Sequence, residues 1–90
     1  PKARRVEARF PDPMANPYIA FALLIHAGLD GINNNLKAAE PVNIDLFTAD
    51  KSVTSKFEQL PASLAEAALL AKDSAFVNSI LPREFVELYL

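Results

Sequence analysis

Arg5, Glu7 and Arg9 are the residues of this 90-residue chain whose types and spacing could do chemistry. Side chains two positions apart in an extended segment share a face. If residues 4–10 are extended, a carboxylate lies between two guanidiniums on one side, while Arg4, Val6, Ala8 and Phe10 line the other. A guanidinium offers a planar fork of donors to phosphate or carboxylate, and a carboxylate is a hard oxygen ligand for Mg²⁺ or Mn²⁺. The triplet therefore suits a site that handles anions together with a metal cation. On pattern alone, an exposed strand face carrying charges of both signs is the simpler account.

Composition narrows the classes. Hydrophobic content of 51% with 22% charged residues is that of one small globular domain rather than a disordered segment. A formal charge of -2 argues against a general nucleic-acid binder. The basic residues are nevertheless lopsided, with Lys2, Arg4, Arg5 and Arg9 close together, which fits a local anion site better than a basic groove. The absence of cysteine excludes a disulfide framework, a zinc thiolate site and a thiol nucleophile, and makes the cytoplasm the expected setting. His26 is the single histidine, so neither a histidine triad nor a multi-histidine metal site can be assembled, and an i,i+4 pairing with Asp30 is its simplest role. The longest apolar run, residues 18–25, is too short to cross a bilayer, and no apolar stretch follows the basic start as in a secretory signal.

The elements that position the triplet follow from local chemistry. Pro11 and Pro13 push Phe10 and Asp12 out of the α region and remove two backbone donors, so a strand ends at Phe10. Asn16-Pro17 starts a helix, with Asn as cap and Pro preset at the first helical position. The helix, bounded at 16–35, is apolar nearly all round as far as Ile25 and requires burial on most sides. Gly28 and Gly31 would let another backbone approach it, and Asn33, Asn34 and Asn35 can end it. Residues 36–61 read as a long irregular loop. Ser63-Leu64-Ala65-Glu66 is a capping box. Asp73 is an expected cap for a helix over 74–80, and Pro82 an expected start for one over 83–90. The expected fold is a mostly helical α+β piece: an active-site strand at 1–10 belonging to a larger catalytic β-sheet or barrel, a long buried helix, the loop, and short helices over 62–90. Strand and helix both lack neighbours, so the chain reads as part of something larger.

The run Lys2-Ala3-Arg4-Arg5-Val6-Glu7-Ala8-Arg9-Phe10-Pro11-Asp12-Pro13, with Ala15-Asn16-Pro17-Tyr18-Ile19-Ala20-Phe21 and Ala27-Gly28-Leu29-Asp30-Gly31-Ile32, resembles the C-terminal part of the catalytic domain of bacterial type I glutamine synthetases. Weaker likeness continues in Glu40-Pro41-Val42, in residues 60–67 and in the closing helix. The resemblance implies an ATP-dependent ligase that joins ammonia to glutamate through a γ-glutamyl phosphate, with Mg²⁺ or Mn²⁺ as cofactor. It implies Glu7 as a metal ligand, Arg5 as a nucleotide-phosphate contact, Arg9 as the catalytic arginine facing the transferred phosphoryl group and glutamate, and Lys2 near the nucleotide. It also implies identical subunits in a double ring, with no nucleic-acid or membrane partner. Further metal ligands and the ammonium-side residues fall on other segments, so the 90 residues alone are expected to be inactive. A glutamate-polyamine ligase of the same superfamily and a non-catalytic helical interaction module stay open as alternatives.

Two positions depart from the family pattern. Relatives tend to be basic where Asn33, Asn34 and Asn35 stand. Some also carry a tyrosine, adenylylated to lower activity, at the position of Phe47. With no hydroxyl at 47, the full-length protein incubated with the modifying enzyme and ATP is expected to gain no nucleotide there. A mass increase on the peptide containing Phe47 would overturn this.

Overall fold

Prolines and short polar side chains decide where the helices begin. The computed structural model describes residues 2–90, and its described residues form α1 (Pro17–Asn33), α2 (Lys51–Thr54), α3 (Leu64–Asp73), α4 (Ala75–Ile80) and α5 (Arg83–Tyr89). At the head of α1, Asn16 is extended and its side-chain oxygen accepts from the N–H groups of Tyr18 (3.0 Å) and Ile19 (3.5 Å), while Pro17 occupies a position where an N–H would be orphaned anyway. At its tail, Asn35 takes a φ of 50°, which asparagine tolerates better than most residues. The Leu36 N–H then reaches the Gly31 carbonyl (2.9 Å) and the Asn35 N–H the Ile32 carbonyl (3.1 Å), a Schellman closure. Asn34 Nδ2 donates to the carbonyl (3.0 Å) and Oδ1 (2.9 Å) of Asp30, so Asp30 is engaged by Asn34 rather than by His26.

The later helices follow the same logic with adjustments. Ser63 Oγ accepts from the Glu66 N–H (3.2 Å), but Glu66 reaches back to the N–H of Ala62 (2.9 Å), one residue beyond the usual capping-box partner. The cap of α4 is Ser74, not Asp73: α3 runs on through Asp73, and Ser74 Oγ accepts from the Val77 N–H (3.3 Å). Asn78 Nδ2 braces this corner by donating to the carbonyls of Lys72 and Ser74, both at 2.8 Å. The long connector also contains α2, one helical turn behind an extended Asp50.

The expected N-terminal strand is not formed. No strand occurs among the described residues, and no backbone hydrogen bond among them ties residues 4–10 to another segment. A strand exists through its ladder to a neighbour, and nothing in the described chain offers one. Pro1, counted in that strand, lies outside the described residues.

Packing is thin. The α4 helix touches both α1 and α3, and Val86 of α5, 3% exposed, is the one buried residue among those described. It lies beside an apolar cavity of about 160 Å³ bordered by Ile19, Leu23, Val77 and Phe85. The rings of Phe85 and Tyr89 stack with centroids 5.3 Å apart. No side chain of α1 is buried within these 90 residues, and Ile32 is 72% exposed. The surface is 8588 Å², against about 5,200 Å² for a self-sufficient monomer of this size. The radius of gyration is 15.6 Å, against about 12 Å. A Cβ added at Gly28 or Gly31 would meet nothing within 4 Å, so no backbone among the described residues uses these glycines.

The 90-residue polypeptide on its own is therefore expected to self-associate and to melt without a cooperative transition. A sharp monomer boundary in sedimentation velocity together with a cooperative calorimetric peak would contradict this. In the same polypeptide, Gly28→Ala and Gly31→Ala should each favour the helix by about 1 kcal/mol, seen as increased far-ultraviolet circular dichroism. A decrease would mean that a neighbour packs against the glycines.

Candidate functional site

Val6 and Ala8, with Pro11, border a hollow of about 340 Å³ against Phe21 and Leu24 of α1, and Arg5, Glu7 and Arg9 are not part of it. Val6 is nonetheless 96% exposed, so neither side of the segment is packed among the described residues. Within the triplet, Arg9 Nε donates to Glu7 Oε1. The two side chains are 86% and 64% exposed, and a pair so open to water contributes roughly 0.2–1 kcal/mol. It orients the arginine without holding the segment. Arg5 and Lys2 are exposed, Lys2 in a turn, and neither has a hydrogen-bond or ion-pair partner among the described residues.

The acid supplies limited ligation. Glu7 Oε1 accepts from Arg9 Nε, and the carboxylate keeps lone pairs on both oxygens for a further partner. Among the described residues, no three His, Cys, Asp or Glu side chains come together as a metal-binding group. The residues present thus fit one hard oxygen ligand and not a complete coordination shell. A complete site requires ligands from other segments.

Beyond the triplet, Phe10 and Pro11 border an apolar hollow of about 300 Å³ with Leu23, Leu24 and Phe76. The Phe10 to Pro13 turn also forms one wall of a groove of about 470 Å³, with residues 60–64 opposite. From the sequence, Asp12 stands out only as a residue that Pro13 displaces from the α region. In the structure its Oδ1 accepts from the Met14 N–H (2.8 Å) and its carbonyl from the Ala15 N–H (2.9 Å). The signal was legible as an Asp two residues before a free N–H, the pattern of an Asx turn. Asp45 makes a similar turn, accepting from the Phe47 N–H at 3.0 Å, and presents the Phe47 ring fully exposed. No helix among the described residues is long and apolar enough to cross a membrane.

Comparison with known proteins identifies the family. The family described as "Glutamine synthetase, catalytic domain" matches residues 1–90. A glutamine synthetase of Pseudomonas aeruginosa is 43% identical over 93 aligned residues, covering 100% of this chain and 20% of the relative. One from Azotobacter vinelandii gives the same identity and coverage, and one from Methanosarcina mazei is 43% identical over 88 residues, covering 96% of this chain. The chain spans about a fifth of the length of the curated relatives it matches. No solved structure matches it with significance. By the match along its whole length, the chain belongs to the glutamine synthetase catalytic-domain family.

Proposed function

We propose that this chain is part of an ATP-dependent ligase that forms glutamine from glutamate and ammonia. The observation that carries this reading is the catalytic-domain match over residues 1–90; the 43% identity to a glutamine synthetase along the whole chain supports it. In the first step an oxygen of the glutamate side-chain carboxylate bonds to the γ-phosphorus of ATP, and the bond from that phosphorus to ADP breaks. In the second, the lone pair of ammonia attacks the acyl carbon, phosphate leaves and the nitrogen loses a proton. Both steps concentrate negative charge on oxygen, which fixed cationic donors stabilise.

Arg5 binds nucleotide phosphate, Lys2 lies near the nucleotide, and Arg9 faces the transferred phosphoryl group and the glutamate. Glu7 supplies one oxygen to a Mg²⁺ or Mn²⁺ ion, which when bound neutralises charge on the ATP phosphates. The Glu7 to Arg9 bond engages one carboxylate oxygen, while the guanidinium retains donors beyond Nε for an anion. The remaining ligands and the ammonium-side groups come from segments of a longer protein and from identical subunits in a double ring. In that setting residues 4–10 pair as a strand of a larger catalytic sheet.

In the full-length enzyme, Glu7→Gln is expected to lower metal-dependent phosphoryl transfer at least about 100-fold, because loss of a direct ligand should exceed the 10–100-fold typical of residues behind the ligands. Near wild-type turnover would mean that Glu7 is not a ligand. The isolated 90-residue polypeptide is expected to be silent in γ-glutamyl transfer and ATP hydrolysis. Metal-dependent turnover above a heat-killed control would refute that. Running the full-length assay with putrescine in place of ammonium tests the amine, and preferred use of putrescine would overturn the assignment to ammonia.

A further inference from the structure

The bond between Glu7 and Arg9 joins two atoms that stand at the same depth of their side chains, Oε1 of the acid and Nε of the arginine. Beyond that depth the acid ends, and the guanidinium continues through Cζ to its terminal nitrogens. A bond made at Nε therefore holds the arginine at its branch and sends the terminal amines past the carboxylate, where they have no partner among the described residues. Arg5 stands at the same spacing on the other side of Glu7, yet it has no hydrogen-bond or ion-pair partner among the described residues. The acid thus engages one of two equally spaced arginines. Side chains two apart meet in this way wherever a segment is extended, so the contact is compatible with residues 4–10 being paired into a sheet. It also leaves the acid available to a cation, because the carboxylate keeps lone pairs on both oxygens.

We infer that Glu7, besides ligating the metal, is the positioning residue for Arg9, holding its guanidinium in the orientation that meets the anion. The inference deepens the proposed ligase reading and rests on it, since Arg9 has to face the phosphoryl group and the glutamate for its orientation to matter. What Arg9 requires from position 7 is an acceptor oxygen at the ε position, whereas the metal requires a charged hard oxygen there. Substitution separates the two requirements. Glutamine keeps the acceptor and loses the charge, and methionine, unbranched and of similar length, loses both. The two substitutions remove the same charge, so a comparison between them cancels the general attraction of anions to a more positive face. The pair is open to water, with side chains 86% and 64% exposed, and pairs of that kind are weak. The expected effect is correspondingly modest, about two- to fivefold in anion affinity.

The test uses the full-length enzyme, freed of metal with EDTA and titrated calorimetrically with L-glutamate. Glu7→Met is expected to bind glutamate about two- to fivefold more weakly than Glu7→Gln, and the difference should vanish when each change is made in an Arg9→Ala background. Crystals of the metal-free enzyme should show Arg9 Nε within about 3.2 Å of the side-chain oxygen at position 7 in the wild type and in Glu7→Gln, and a guanidinium turned elsewhere in Glu7→Met. Where glutamate binds too weakly to titrate, that orientation decides. If Glu7→Met does not fold, Glu7→Ala takes its place. Equal affinity in Glu7→Gln and Glu7→Met, a difference that persists in the Arg9→Ala background, or an unmoved guanidinium in Glu7→Met would each overturn the inference. Glutamate affinity unchanged by Arg9→Ala alone would instead remove the site reading on which it rests.

Discussion

Side-chain oxygens bonded to backbone N–H groups one turn ahead organise this chain more than its core does. Asp12, Asn16, Asp45, Ser63 and Ser74 each accept from an N–H two or three residues on, and between them they open three helices and two turns. Such bonds satisfy donors that a helix start leaves orphaned. They act over a few residues and need no tertiary partner, which is why they persist where long-range packing is sparse. Every described element boundary that bears on the candidate site, from the turn at Asp12 to the cap at Asn16, is of this kind.

Burial is the complementary constraint. A domain of this size is stable only if it removes most of its apolar surface from water, and Val86 is the only described residue to reach that state. The α1 helix shows the deficit most plainly. It carries almost no charge, its glycines have open space above them, and its side chains on several faces remain in water. An all-round apolar helix is specified for an interior, and the ninety residues supply only one side of one, through α4 and the cavity beside Val86. The same deficit explains the missing strand. Residues 4–10 carry the side-chain alternation of a strand, yet alternation describes which faces are suited to burial, and hydrogen-bonding partners come from elsewhere.

What could be read from the sequence divides along that line. Asn16-Pro17 and Ser63-x-x-Glu66 mark the starts of α1 and α3 because capping is local chemistry written in adjacent residues. Asp73 and Ser74 are both good caps, and the choice of Ser74 depends on α3 running through Asp73 and on Asn78 bridging the corner, a six-residue relationship that no local pattern reveals. The single turn of α2 was hidden because four residues are too few to show a period. At the site, the spacing of Arg5, Glu7 and Arg9 implies a shared face only where the segment is extended, and a role for each residue comes only through resemblance. Chemistry at a metal or phosphate depends on groups converging from distant segments, and spacing within seven residues carries no record of them.

The Glu7 to Arg9 pair shows how much the surroundings decide. In the described chain it stands in water, where charges attract weakly and the bond contributes little. Enclosed by further segments, the same two groups would lose their hydration, and each would need the other, or an ion of opposite sign, far more strongly. A carboxylate flanked by two guanidiniums is then not neutralised but over-balanced, leaving one net positive charge on the face. Such an excess attracts anions rather than cations, so on charge alone a cation would bind beside Glu7 together with an anion that balances the arginines.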